Sequence, residues 1–437
     1  MSLISPLIRR AAALVVAALA LSLAVAPAMG EPLAGPPAAQ AAEREILVML
    51  RIPPDHYRPT ATYGGDYGDQ ATIAARRRLA ERIARRHSLD FVGDGWQMPL
   101  LGLDCYVMRV HADETVDGAI KRISRDPEVA WSEPMHVYQT QAAAAAPSRA
   151  PNPGANEGDP LFAVQPSATA WRLAELHRVT TGRGVVVAVI DSRIELNHPD
   201  LSGQFVANED FVIGRPGPAE RHGTGVAGVI AAKSGNGLGI SGVAPGARMM
   251  ALRACWQTDD VSPTAPTLCD SLSLAKALHY AIAHGAKVIN LSLSGPPDRL
   301  LTQLIAMADV HDISVVAAYD PDLPRGGFPA SDPGVIAVGN LSLPSTPPGV
   351  YLAPGEDIPT TQPGGKWFLV NGSSYAAAHV SGLIALVREH RDTAPRPLLV
   401  ASLPHGGEVD ACASVEHALK PCDCTCPPYT RLAQGPR

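Results

Sequence analysis

A doubly wound α/β fold, its mostly parallel sheet flanked by helices, is what most of this 437-residue sequence predicts, with a small ferredoxin-like α+β unit ahead of it. Three observations carry that prediction. Apolar runs recur at 185–190, 249–252, 288–293, 313–318 and 335–338, each of the length expected of a strand buried on both faces. Helix-like stretches alternate with them at 224–233, 271–284 (closed by Gly285), 300–310 and 374–390. Such alternation builds a parallel sheet whose functional groups collect at the carboxyl ends of its strands. Upstream, over 44–140, strand and helix periods follow one another on a smaller scale.

Taken in order, residues 1–30 read as a signal peptide. Arg9 and Arg10 give the positive start, 11–25 is apolar except for Ser22, and Ala26-Pro27-Ala28 supplies the small-x-small cleavage pattern. Membrane contact is expected only if this signal stays uncleaved. Residues 31–43, rich in Pro and Ala, read as a disordered linker. The unit at 44–140 begins with a strand near 45–52. Ala75, Leu79 and Ile83 mark one narrow helix face, and Leu103, Cys105 and Val107 alternate as a strand. Val116, Ala119, Ile120 and Ile123 form a second helical stripe with Asp113 as the expected cap. A last strand is expected over 129–137, and an extra one fits near 92–98. Residues 141–157, with five consecutive alanines and three prolines, read as a linker open to proteolysis. The large α/β domain follows at 158–420, and 421–437 is a Cys-rich tail.

Composition narrows the function. Hydrophobic residues at 46% and charged ones at 18% describe a soluble globular protein, and a net charge of -6 gives no reason to expect nucleic acid as a partner. Seven cysteines agree with an oxidising destination, secreted or periplasmic. Only Cys105 lies in the N-terminal unit, so its removal would leave an even six.

Three segments carry chemistry. Asp191 directly follows the buried strand at 185–190, where α/β folds keep functional groups. His222 precedes Gly223, Thr224 and Gly225 at the start of a helix slim enough to approach another backbone. Ser374 follows Gly372 and Ser373 at a helix N-terminus, whose N–H groups can hold the oxyanion formed when a hydroxyl attacks a carbonyl. Singly, each also reads as a turn or capping residue; the order Asp, His, Ser is what changes the weighting.

Together the segments resemble the signature blocks of the subtilisin-like serine proteases. Val189-Ile190-Asp191-Ser192 with His198-Pro199-Asp200-Leu201 is similar to the aspartate block. His222-Gly223-Thr224 with Val226-Ala227-Gly228 is similar to the histidine block, and Gly372-Ser373-Ser374 with the stretch from Ala376 through Val380 is similar to the serine block. The resemblance implies Ser374 as nucleophile, His222 as general base and Asp191 as its orienting partner. It implies Ser292, Leu293 and Ser294 as the strand that pairs with polypeptide substrates. It also implies that 44–140 is an inhibitory propeptide, an intramolecular inhibitor of its own enzyme. No cofactor is expected, and no clustered carboxylates mark a metal site, although many relatives bind calcium.

Departures from the family pattern are equally specific. Asp320 stands where an oxyanion-binding Asn is usual, which suggests Asp320 as its replacement and, as an alternative, a catalytically weak pseudoprotease or a tethered binding protein. Arg193 replaces a usual Gly, Gly225 a usual His, Ala378 a usual Pro, and Tyr375 a frequent Met. Gly237, Gly239 and Gly242 match a dinucleotide fingerprint by letter but lack the strand before and the helix after. His198 and His379 are expected to be structural. Cys255 and Cys269 flank a polar insertion and are expected to form a disulfide, with Cys412 joined to one of Cys422, Cys424 and Cys426.

Overall fold

The computed structural model describes residues 44–51, 67–142, 148–149, 158–259, 262, 265–390 and 399–419. The expected signal peptide, the first linker and the Cys-rich tail, with any partner of Cys412 there, lie outside the described residues.

The N-terminal unit runs β1 (Glu45–Arg51), α1 (Tyr67–Arg86), β2 (Leu89–Met98), β3 (Leu103–Val110), α2 (Val116–Ile123) and β4 (Val129–Pro134). Its antiparallel sheet has the order β2-β3-β1-β4, the ferredoxin-like arrangement. Strand period decides what each side chain of β1 touches. Ile46, Val48 and Leu50 pack under the helices with Ile83 and Ile123, while Leu47 and Met49 face a core shared with Leu274 and Leu278 of the body. The cap of α2 is Thr115, not Asp113: its side chain accepts from the Gly118 N–H, 3.2 Å away. Asp113 lies too early, because the capping side chain must directly precede the first helical turn.

The strand expected over 129–137 divides. β4 stays with the N-terminal sheet, whereas β5 (Val137–Thr140) leaves it and pairs with the body. The linker also holds a short strand, β6 (Ser148–Arg149), paired with 368–369.

The body's strands are β7 (Val186–Asp191), β8 (Phe205–Asp210), β9 (Arg248–Arg253), β10 (Cys255–Gln257), β11 (Thr267–Asp270), β12 (Val288–Leu291), β13 (Leu293–Ser294), β14 (Ser314–Ala318), β15 (Val335–Asn340), β16 (Tyr351–Ala353), β17 (Ile358–Gln362), β18 (Lys366–Val370), β19 (Ala401–Leu403) and β20 (Gly406–Val409). The main sheet has the order β19-β20-β16-β15-β14-β12-β7-β9-β8 and is parallel except at the β19 edge. The longer helices are α3 (Arg221–Ala231), α4 (Ser271–Ala283), α5 (Arg299–Val310), α6 (Ser373–His390) and α7 (Ala411–Ala418). Val315 and Ala317 of β14 join the core under α4 and α5; Val316 and Ala318 join the one under α3 and α6. A sheet covered on both faces explains the unbroken apolar runs in the sequence. The run at 288–293 breaks at Ser292 into β12 and β13, and that break turns β13 out of the main sheet toward β5.

Cys255 and Cys269 face each other across the β10–β11 pair and are joined by a disulfide. Among the described residues no helix is long and apolar enough to cross a membrane.

Candidate active site

Asp191 ends β7 and is buried, with one carboxylate oxygen accepting from the Ser192 N–H at 2.6 Å. His222 lies in the first turn of α3. That helix comes close because Gly223 has no side chain: a Cβ there would sit 2.3 Å from the Ser192 carbonyl oxygen. Gly228 leaves similar room for Thr361. The Thr360 and Thr361 hydroxyls donate to the Gly225 and Thr224 carbonyls, fixing the helix against β17. The result is a continuous chain of polar contacts. His222 Nδ1 is 2.8 and 2.9 Å from the two Asp191 oxygens, and Nε2 is 2.9 Å from Ser374 Oγ. With Nδ1–H donating to the carboxylate, Nε2 is left as the acceptor for the serine proton. The hydroxyl also lies 3.0 Å from the Ser292 carbonyl.

Over this trio lies the chain's own segment. β5 is inserted between β11 and β13, antiparallel to both, with Leu268 opposite Gln139 and Leu293 opposite Thr140. Gln141 follows: its N–H donates to the Ser292 carbonyl, and its own carbonyl accepts from the Ser374 N–H, each at 3.2 Å. Gly372 allows this approach. It has φ +138°, and a Cβ there would be 2.2 Å from the Gln141 oxygen. Gln141 and Gly372 had not been singled out by sequence reasoning as contacts of each other. The signal available was position: a Gly just before the paired serines, and a residue just after an alternating strand.

Ser292, Leu293 and Ser294 lie against the inserted segment, and Asp320 lies beside Ser294. Its Oδ2 accepts from the Ser294 hydroxyl at 2.8 Å and its Oδ1 from the Asp322 N–H at 2.9 Å. The local turn closed by that second bond directs the carboxylate to Ser294 and Asp322. Arg193 points its guanidinium at Asp210, and its backbone N–H donates to Glu220. Gly225 and Tyr375 form one packing solution. A Cβ on Gly225 would meet the Tyr375 ring at 3.2 Å, and that ring lies 5.9 Å from the His222 ring. Ala378 is simply buried in α6.

His198 is held by the Lys366 carbonyl and the Asp200 N–H, and burial lowers its pKa. His379 donates to the Tyr375 carbonyl, and burial lowers its pKa to about 4. Both are held by backbone partners. The Gly237–Gly242 stretch is a loop whose Ile240 N–H donates to Asp200, which also receives Asn236 Nδ2 and Trp367 Nε1. Among the described residues no three His, Cys, Asp or Glu side chains converge as a metal site would require.

Comparison with known proteins gives the same outline. A model described as the subtilase family matches residues 182–401. A thermophilic serine proteinase of Bacillus sp. (strain AK1) is 34% identical over 289 residues, covering 62% of this chain and 66% of that protein. Subtilisin E of Bacillus subtilis (strain 168) is 32% identical over 293 residues, covering 63% of this chain and 69% of that one. The chain thus spans about two thirds of the length of these curated relatives. In fold it is similar to fervidolysin of Fervidobacterium pennivorans, with a TM-score of 0.63 over 86% of this chain and 61% of that one, at 24% identity.

Proposed function

This chain belongs to the subtilase family, and on that premise we propose that it is a secreted or periplasmic serine endopeptidase, made as a zymogen, that hydrolyses peptide bonds through Ser374, His222 and Asp191. The observation that carries the reading is the unbroken hydrogen-bond path from Asp191 through His222 to Ser374 Oγ.

In this reading Ser374 Oγ attacks the substrate carbonyl carbon while its proton passes to His222 Nε2. Asp191 holds the ring in the tautomer that can accept, and stabilises the imidazolium once formed. Negative charge developing on the carbonyl oxygen meets the Ser374 N–H at the start of α6, where unpaired helix donors are available. The proton then moves from His222 to the departing amine, and water resolves the acyl-enzyme by the same steps. β11 and β13 hold the substrate as an extended strand through its main chain. The N-terminal unit inhibits by keeping β5 in that slot.

Reaction with a fluorophosphonate followed by mass spectrometry tests the reading. One adduct on Ser374, lost in Ser374→Ala, is expected; a folded protein that takes no label would overturn it. Amino-terminal sequencing of exported material tests the signal and zymogen parts.

A further inference from the structure

The segment lying in the cleft reports what its floor accepts. Gln141 places its carbonyl on the Ser374 N–H, so the bond presented to Ser374 is Gln141–Ala142. Gln141 Nε2 donates to Ser294 Oγ at 2.7 Å, and the Ser294 hydroxyl donates onward to Asp320 Oδ2 at 2.8 Å. The polarity of this relay is fixed at its far end, because a carboxylate only accepts. Ser294 has therefore spent its proton on Asp320 and shows the incoming side chain an acceptor. Ser294 is buried, so a side chain that fails to donate leaves that acceptor unpaired. A carboxylate there would add repulsion from Asp320. A groove of about 440 Å³ runs beside these groups, lined also by Asp322, Leu268 and Leu323 and by Val137, Tyr138 and Gln139 of the inserted segment.

We propose that Ser294 and Asp320 form a specificity relay that selects, at the residue immediately before the cut, a side chain ending in an N–H donor (glutamine or lysine), and that Gln141–Ala142 is the first bond this enzyme cuts in its own chain. The inference rests on the endopeptidase reading and adds a substrate class to it. Cutting is an ordinary acyl transfer: Ser374 Oγ bonds to the Gln141 carbonyl carbon, the C–N bond breaks, and Ala142 leaves with the proton delivered by His222. Water then frees the Gln141 carboxyl.

The full-length precursor and its mature product supply the test. The released N-terminal fragment is expected to end at Gln141, with no such fragment from Ser374→Ala. Gln141→Glu is expected to slow its appearance at least tenfold, and Gln141→Lys to leave it within about threefold. In matched peptides differing only before the cut, kcat/KM for Gln is expected to exceed that for Glu by about 100-fold and that for Leu by about tenfold. Asp320→Asn is expected to shrink the Gln/Glu ratio at least fivefold and Ser294→Ala the Gln/Leu ratio at least threefold. These ratios do not move with a general loss of activity. Enzyme that takes the fluorophosphonate label yet cuts Glu or Leu peptides as well as Gln, or releases a fragment ending elsewhere, overturns the inference and leaves the endopeptidase reading standing. Protein that takes no label overturns both.

Discussion

The N-terminal unit and the body solve different problems with the same materials. The first is a small antiparallel sheet whose neighbouring strands β2 and β3 are joined by a short turn. The second is a sheet parallel except at its β19 edge, whose parallel pairs need crossovers, and its trio joins residues 31 and 152 positions apart. Non-local pairings form slowly, because chain entropy is lost before the contacts that offset it are made. The N-terminal unit touches the body at a few points. Glu133 accepts from the Arg299 and Leu300 N–H groups at the start of α5, Tyr138 donates to Asp298, and β5 bridges β11 and β13. The body owns the chemistry, and its neighbour supplies caps and a strand.

Perturbations should separate the two regions. The largest effect is expected for Ser374→Ala, a loss of about a million-fold in kcat on peptides, the size known for a subtilisin losing its serine. The N-terminal unit should remain docked, as gel filtration of the precursor can check. Replacing Cys255 and Cys269 by serine removes the bridge in the body and should cost about 3 kcal/mol of stability in a denaturant titration. Gly372→Ala puts a methyl against the substrate carbonyl. It should lower kcat/KM about 100-fold and, because a side chain at φ +138° strains the backbone, also lower the melting temperature.

The next effect belongs to the contact between the units. Burial, then the nearby charge of Asp298, pushes the Glu133 carboxyl from an ordinary 4.5 up to about 7, against the two N–H groups it receives. Burial lowers the pKa of His136, which also faces Asp298. A pKa raised by docking means that the grip is full below the ordinary carboxylate value and weakens as pH rises through about 7. Raising pH from 5 to 8 should therefore loosen the cut but still bound N-terminal unit about tenfold, read as recovered activity, and Glu133→Gln should flatten the profile. The smallest effect is expected for Thr115→Ala, about 1 kcal/mol, confined to the unfolding of the N-terminal unit.

The sheet and the trio were legible because their signals are local. A buried strand announces itself by composition, and Asp191, His222 and Ser374 each sit in a short segment at a strand end or helix start. What was not legible depended on direction. Asp320 occupies the sequence position of an oxyanion donor, but one turn, closed by the Asp322 N–H, decides where its carboxylate points. The stretch at 129–137 reads as one strand, but β4 and β5 pair in different sheets, and a change of partner is not written in local composition. Ser148 and Arg149 pair with β18 through the strand ladder, which composition does not encode.

The Cys255–Cys269 bridge sits at the root of the hairpin whose β11 forms one rail of the cleft, while the opposite rail, β13, grows directly out of the stretch leading from β12. Thiol-rich surroundings would thus slacken one guide and spare the nucleophile. If the chain is the endopeptidase proposed above, such a compartment would impair its threading of extended chains more than its turnover of small activated esters.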